Sequence, residues 1–306
     1  MTRIRGTAAV GLLLLAILGG TGCATLEEAA NVGTSVAKSQ GIVTGEQAKS
    51  ITRVTKAVAK SFEDITPEQE HYIGRSVGAV LVNRYKPYPD GPVNDYLNLL
   101  GQTLAQASDR PETFGGYHFL TLDSPEINAF AAPGGLIFVS RGMLRLCGSE
   151  DAVAAVLAHE IAHIQLRHGL QAIDKSRVTE ALTTLGEEGA KSYGGQKLAD
   201  LTKVFEGSIS DVTSTLVNNG YSRSFEREAD AAAVAILSRV GYDPNGLVAM
   251  LTEMEKHLKP GGLDFAKTHP SPRSRIDDIG RQHAGGKALA EVPVRQARFR
   301  KGLGNI

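Results

Sequence analysis

The stretch VLAHEIAHIQLRHG, residues 156–169, decides how the rest of the chain is interpreted. It holds two histidines four positions apart, His159 and His163, with Glu160 directly after the first. In an α-helix, residues at this spacing lie one turn apart on one face, so two imidazoles can bind one tetrahedral zinc ion. Glu160 lies about 100° round from His159, where its carboxylate can hold a metal-bound water rather than the metal.

The alternative for this stretch is an ordinary amphipathic helix whose histidines face solvent. Apolar residues on most sides of the helix argue against it: Val156, Leu157, Ala158, Ile161, Ala162 and Ile164. A helix of this composition is largely buried, and two histidines inside a buried helix need partners. The pattern therefore favours a catalytic metal site, which also needs a third protein ligand and an open position for water.

One class of zinc enzymes takes its third ligand from the same helix. Its pattern, H-E-x-x-H-x-x-G-x-x-H, requires glycine at position 166 and histidine at position 169. The chain has Leu166 and Gly169, so this class is excluded. His168 is one residue short of the required position, and we expect it to form a local hydrogen bond.

The other class takes a glutamate from a later helix, and the segment YSRSFEREADAAAVAIL (221–237) offers Glu226 and Glu228. Glu226 shares its helix face with Asp230 and with apolar residues beyond, whereas the face of Glu228 is polar. Glu226 is therefore the predicted ligand, and Asp230 can accept a hydrogen bond from the second nitrogen of a ligating histidine. Considered alone, the segment also fits a salt-bridged surface helix.

Hydrophobic periodicity predicts an α+β fold that is mostly helical. The clear β-structure is one strand at 117–123 and two short strands within 127–140. Helices are expected from Thr66, at 93–108, from Ser149 to Gly169, at 222–240 and at 245–258. We expect 175–220 to form a mobile helical insertion, and 286–306 to form a basic, poorly ordered tail.

The first residues have the pattern of an export signal. An apolar run at 8–18, too short to span a bilayer comfortably, follows two arginines and leads through small residues to Cys23. This resembles a bacterial lipoprotein signal (1–22) in which Cys23 carries lipid and 23–63 form a tether. Gly20 stands where such signals usually have leucine, so an ordinary secretory signal is the alternative. We expect a periplasmic protein anchored to the outer membrane, because Ala24 is not acidic.

Composition restricts the partners. Lys plus Arg and Asp plus Glu both number 33, and this balance gives no support for a nucleic-acid partner.

The chain has two cysteines. If Cys23 carries lipid, Cys147 has no partner for a disulfide, and its apolar neighbours predict that it is buried.

Four motifs occur in the order found in the M48 family of zinc metallopeptidases, which belongs to the gluzincin group. The chain resembles the soluble, periplasmic lipoprotein branch of that family over about residues 64–283. The motifs that carry the resemblance are INAFAAPGGLIFVSRGML (127–144), HEIAH (159–163), FEREADAAA (225–233) and THPSPRSRI (268–276).

The resemblance implies a zincin-type peptidase domain, residues 64–285, with a small β-sheet ahead of the metal-binding helix. It implies one Zn²⁺ per chain, with His159, His163 and Glu226 as ligands. It further implies that Glu160 is the general base and that Asp230 accepts a hydrogen bond from a ligating histidine. It also implies that Asn128, Ala129, Phe130 and Ala131 form an edge strand beside the cleft. An extended substrate can bind such a strand through its backbone; the alternative is that these strands serve only the core.

His269 is placed near the zinc by the resemblance, in one of two roles. It can stabilise the tetrahedral oxyanion, or it can occupy the open zinc position as a fourth ligand and keep the enzyme silent. The alternative is a structural histidine at a helix start, since Ser271 and Pro272 fit a cap and a first turn. Arg273 and Arg275 could assist at the site, but nothing in the sequence distinguishes that role from an ordinary position on a solvent-exposed helix face.

By the resemblance, the expected activity is hydrolysis of peptide bonds in misfolded or stalled envelope proteins. A chaperone-like periplasmic factor is the alternative, with unfolded outer-membrane proteins and the outer-membrane assembly machinery as its partners. A purely structural zinc protein is disfavoured, because Glu160 would then have no role and structural sites are usually closed by four ligands.

Overall fold

The computed structural model describes residues 65–173, 206–207, 209–257, 269–282, 292–304 and 306. Within this part the chain is mostly helical with one small sheet, which confirms the predicted fold class. The elements in chain order are α1 (Pro67–Tyr85), α2 (Gly91–Gln106), β1 (His118–Leu122), β2 (Ala129–Ala132), β3 (Leu136–Ser140), α3 (Arg141–Leu146), α4 (Glu150–Gln165), α5 (His168–Gln171), a π-helical turn (Thr215–Asn219), α6 (Arg223–Val240), α7 (Asn245–His257), α8 (Pro272–Gln282) and α9 (Pro293–Leu303).

The three strands form a mixed sheet in the order β1-β3-β2. β1 runs parallel to β3, and β2 pairs antiparallel with β3. The turn between β2 and β3 contains Gly134 and Gly135, whose φ angles of 78° and 110° are costly for residues with a side chain. Both predicted strand segments are confirmed, and only the short helix α3 separates the sheet from the helix that carries the paired histidines.

The outer edge of β1 is closed by amide side chains from α2 and by a short antiparallel backbone bridge between Pro87 and Leu122. Asn98 accepts a hydrogen bond from the backbone N–H of Phe119 (3.1 Å) and donates one to its carbonyl (2.7 Å). One turn earlier on α2, Asn94 accepts from the N–H of Thr121 (2.8 Å). Because residues four apart share a helix face, side chains of α2 supply several of the partners that this strand edge needs.

The core is divided by the sheet. Ala129 and Ala131 contribute to the larger cluster, which contains most of α4, whereas Phe130 and Ala132 contribute to a second cluster with α1. This alternation is the period of two that a strand imposes on its side chains. Every residue of α4 from Ala152 to Ile164 is buried, so this helix lies at the centre of the domain.

The helix starts follow local capping, but one predicted end is wrong. Ser149 caps α4 by accepting a hydrogen bond from the N–H of Ala152. The helix was predicted to end at Gly169, but α4 ends four residues earlier, at Gln165. Arg167 then adopts a left-handed conformation (φ 56°), which breaks the helix. A non-glycine residue in this conformation is uncommon, which is why the sequence did not indicate it.

The prediction of a poorly ordered tail at 286–306 is wrong for residues 293–303. These form α9, whose Leu303 packs into the core. Arg298 donates hydrogen bonds to both carboxylate oxygens of buried Glu150. The contact joins residues 148 positions apart, so local sequence could not indicate it.

Several predicted segments lie wholly or partly outside the described residues. These include the signal (1–22), Cys23 with the tether, and most of the expected mobile insertion. The described end of that insertion is helical, as predicted, and Val212, Leu216 and Val217 are buried in the second cluster. Mobility of the insertion stays a prediction. Among the described helices, none has the length and apolar character that crossing a membrane requires.

Candidate metal centre

His159 and His163 lie on one buried face of α4, as their spacing predicts. The side chains are at most 3% exposed, and their Nε2 atoms lie 3.1 Å apart. Two ring nitrogens at this separation either share a proton or face a common ligand. The helix therefore directs both imidazoles to one point.

Glu226 reaches the same point from α6, in the first turn after the Ser222 cap. Its Oε2 lies 3.4 Å from His159 Nε2, and its Oε1 lies 3.5 Å from His163 Nε2. The carboxylate is 1% exposed, whereas the Glu228 side chain is 43% exposed. The structure thus brings together the three side chains that the sequence indicated as ligands.

The spacing of these atoms fits a tetrahedral ion. Metal–ligand bonds of about 2.0–2.1 Å, usual for imidazole and carboxylate on zinc, place neighbouring ligand atoms about 3.3–3.4 Å apart. The two imidazole nitrogens lie 3.1 Å apart, and each lies near one oxygen of the carboxylate, His159 Nε2 at 3.4 Å from Oε2 and His163 Nε2 at 3.5 Å from Oε1. Two imidazoles and one glutamate are also a ligand set of catalytic zinc sites.

His269 joins this group from the segment before α8. It is 8% exposed, and its Nδ1 lies 2.8 Å from Glu226 Oε1. One ligand atom from each of the four residues falls within 4.8 Å of the others. His269 is therefore placed where it could occupy a fourth coordination position.

The electrostatics of the group match metal-binding side chains. Burial lowers the pKa of His163 well below its usual value, so this ring is neutral. Glu226 stays ionised despite its burial, because His269 and the hydrogen bonds from His159 and His163 hold its pKa well below the usual range. Burial and Arg275 lower the pKa of His159, but the Asp230 and Glu226 carboxylates outweigh them and raise it to about 9. A cation entering this site would therefore displace a proton.

Asp230 lies one turn along α6 from Glu226 and contacts the far side of His159. Its Oδ1 is 3.0 Å from His159 Nδ1, which leaves Nε2 directed towards Glu226. Burial raises the pKa of Asp230, but Arg275 and His159 outweigh it and lower the value to about 2. This carboxylate is thus charged and holds His159 in one orientation.

Arg275 is the site residue that sequence reasoning left undecided. Its side chain is 2% exposed and forms a bidentate pair with Asp230, with Nη2–Oδ1 at 2.5 Å and Nε–Oδ2 at 3.0 Å. Arg273 is 71% exposed. The solvent-facing position that the sequence allowed for both arginines is therefore occupied by Arg273 alone.

Glu160 is buried beside the ligands but is not one of the four grouped residues. It is 2% exposed, and burial raises its pKa to about 7, in spite of the nearby His159 charge. A carboxyl whose pKa is near neutrality can both accept and return a proton. Its position on α4 therefore suits proton transfer rather than ligation.

Two further aromatic contacts involve the histidines of α4. Tyr221 stacks on His163 with ring centroids 4.3 Å apart. His168, excluded above as a ligand, forms the expected local contact, with its Nδ1 2.9 Å from His163 Nδ1. Tyr221 was missed from the sequence; it lies five residues before Glu226, and nothing local marks it as a partner of α4.

The segment Asn128–Ala131 consists of the residue before β2 and the first three residues of β2, an edge strand of the sheet. Because Ser140 N–H donates to Asn128 C=O, alternation directs the backbone groups of Ala129 and Ala131 away from β3. The Ala129 N–H donates to Asn128 Oδ1 (2.9 Å). All residues of β2 are buried, which fits a core role; substrate binding along this strand stays a prediction.

Comparison with known proteins agrees with this geometry. The family model for peptidase family M48 matches residues 93–282, which include every residue of the four-membered group. The chain belongs to peptidase family M48. This M48 match confirms the predicted family and, at family level, the prediction of a metallopeptidase.

Three relatives show what the chain is similar to. The beta-barrel assembly-enhancing protease of Escherichia coli is 31% identical over 219 residues, covering 68% of this chain and 42% of that protein. The mitochondrial metalloendopeptidase OMA1 of Schizosaccharomyces pombe is 34% identical over 161 residues, covering 51% and 43%. The OMA1 protein of Arabidopsis thaliana is 30% identical over 176 residues, covering 56% and 33%. The matched region spans less than half the length of each relative.

Proposed function

We propose that the chain is a zinc-dependent endopeptidase. The observation that carries the proposal is the buried group of His159, His163 and Glu226. Its two Nε2 atoms lie 3.1 Å apart and 3.4–3.5 Å from the carboxylate oxygens, beside the Glu160 carboxyl, whose pKa is about 7. A zinc ion held by these residues would act as a Lewis acid, polarising a peptide carbonyl and lowering the pKa of an attacking water to roughly 7.

Each side chain then has a separate task. Glu160 takes a proton from the attacking water and returns it to the leaving amine, as its pKa near neutrality permits. Asp230, paired with Arg275, keeps the Nδ1 proton of His159 in place. His269 either adds a fourth ligand or stabilises the oxyanion.

Substrate is proposed to bind as an extended strand beside β2, along Asn128–Ala131. Support comes from the contrast between the two sheet edges. β1 is closed by Asn94 and Asn98, whereas no described strand pairs with the outer edge of β2. Backbone recognition of this kind requires little side-chain specificity, which suits unfolded chains as substrates.

The proposed substrates are misfolded or stalled envelope proteins, and the proposed location is the periplasm, with a lipid on Cys23 anchoring the chain to the outer membrane. Support comes from the lipoprotein-like pattern of residues 1–22 and from the names of the bacterial relatives. Fractionation tests the anchor. Wild type should partition with outer membranes and Cys23→Ser should not; equal membrane association of both would contradict lipidation.

A chaperone-like assembly factor, acting with outer-membrane proteins and their assembly machinery, is the second candidate. The observation that favours it is the position of His269, because a fourth ligand would close the site to water. Cleavage and binding can be separated by Glu160→Gln, since water activation needs this carboxylate and chain binding does not.

Metal removal tests the proposed function directly. Chelator treatment of the purified protein should abolish cleavage of unfolded casein, and stoichiometric zinc should restore it. Glu226→Gln should prevent zinc binding, whereas Glu253→Gln, an exposed substitution on α7, should leave it unchanged. Cleavage that survives complete metal removal would refute the proposal.

A further inference from the structure

His168 is a fully buried histidine that the proposed chemistry does not use. After α4 ends at Gln165, the left-handed conformation of Arg167 turns the chain, and His168 begins the short helix α5. The residue is 0% exposed. Its Nδ1 lies 2.9 Å from Nδ1 of His163, the nitrogen opposite the one that faces Glu226.

This contact fixes which nitrogens carry protons. A neutral imidazole has one N–H donor and one acceptor nitrogen. If His163 binds metal through Nε2, its proton is on Nδ1, so Nδ1 of His168 must be the acceptor. The proton of His168 is then on Nε2, which lies 3.5 Å from Oε2 of Glu228. At this distance the two atoms form no hydrogen bond, but the negative charge of the carboxylate favours a proton on Nε2.

Stacking holds the planes of both rings. Tyr221 stacks on His163 at 4.3 Å with an interplanar angle of 17°. Phe225 stacks on His168 at 4.4 Å with an angle of 6°. Stacking thus fixes the plane of each ring, and the Nδ1–Nδ1 contact fixes which edge of each ring faces the other.

We propose that His168 is a positioning residue for the metal site, which fixes the tautomer and ring orientation of His163 through its Nδ1 acceptor, with Glu228 behind it. The inference rests on the proposed zinc site. The two histidine ligands would then be supported differently, His159 by the charged Asp230 and His163 by a neutral imidazole. Groups in this position commonly change metal affinity 10–100-fold when they are removed.

Zinc affinity, measured by competition with a chromophoric chelator, tests the proposal without relying on activity. His168→Phe keeps a ring against Phe225 but removes the acceptor, so zinc binding should weaken about 10–100-fold. His168→Asn places an acceptor oxygen near the Nδ1 position and should recover most of the affinity. His118→Phe replaces an exposed histidine outside the group and should match wild type.

The outcomes separate the inference from the proposed function. Failure of wild type to bind zinc would refute the proposed function itself. Zinc bound equally by wild type and His168→Phe, or weakened equally in His168→Phe and His168→Asn, would overturn only the role of His168. Unfolding temperatures of the metal-free variants report any purely structural loss. If His168→Phe does not fold, His168→Asn must bind zinc more tightly than His168→Gln, and equal or reversed affinities would overturn the inference.

Discussion

His269 Nδ1 lies 2.8 Å from Oε1 of Glu226, so the histidine ahead of α8 contacts the carboxylate that completes the candidate ligand set. The contact joins residues 43 positions apart. It places a potential fourth ligand where a catalytic site would keep an open position.

Removal of His269 should therefore increase peptidase activity. His269→Ala opens the fourth position, and cleavage of unfolded casein should rise about tenfold, equivalent to about 1.4 kcal/mol of competition removed. Zinc content should stay at the wild-type level, and the exposed His257→Ala serves as control. A loss of cleavage with zinc retained would show instead that His269 stabilises the oxyanion.

The buried Glu160 should destabilise the metal-free protein at high pH. Burial raises its pKa from 4.5 to about 7. The contribution of the protonated carboxyl to the free energy of unfolding is therefore fully present below pH 4.5 and is lost as the pH rises through 7. Metal-free Glu160→Gln should be more stable than wild type at pH 8, by up to about 3 kcal/mol, and similar to it at pH 4.5. Urea unfolding at both values checks this; a difference independent of pH would contradict it.

Closure of the β1 edge should contribute measurably to stability. Asn98→Ala leaves the backbone N–H and C=O of Phe119 without their side-chain partners and should lower the free energy of unfolding by about 2–3 kcal/mol. Asn83→Ala, on the exposed face of α1, is the matched control and should have a small effect. Equal losses in the two variants would mean that the edge contacts are not stabilising.

The C-terminal helix should stabilise the domain through Arg298. Its partner Glu150 is fully buried, but Arg298 is 42% exposed, so we expect Arg298→Ala to cost about 1–3 kcal/mol. Arg300→Ala removes an exposed charge from the same helix and should have little effect. Chemical unfolding of the two variants tests this prediction. Indistinguishable unfolding midpoints would show that the Arg298–Glu150 contact does not stabilise the domain.

Local patterns predicted the elements that build the site. The apolar residues around His159 predicted a buried helix, alternating residues predicted the strands, and the face shared by Glu226 and Asp230 predicted which glutamate points inward. These features depend on residues a few positions apart, whose periodicity the sequence displays directly.

Long-range contacts could not be predicted in the same way. Arg275 and Arg273 look equivalent in sequence, and only the packing of α8 against α6 buries the first. Helix α9 contacts Glu150 and the core, which are far from it in sequence: the Arg298–Glu150 contact joins residues 148 positions apart. The local contact predicted for His168 is present, but the sequence did not identify His163 as its partner, because that contact follows from the left-handed conformation of Arg167.

The most direct test of the account compares wild type with Glu160→Gln for zinc content and cleavage of unfolded casein. Glu160 lies outside the ligand group, so both proteins should hold about one zinc per chain. Cleavage should fall about 10²–10⁴-fold in the variant, the usual loss when a general base is removed. Absence of zinc from both proteins, or equal cleavage by both, would contradict the account.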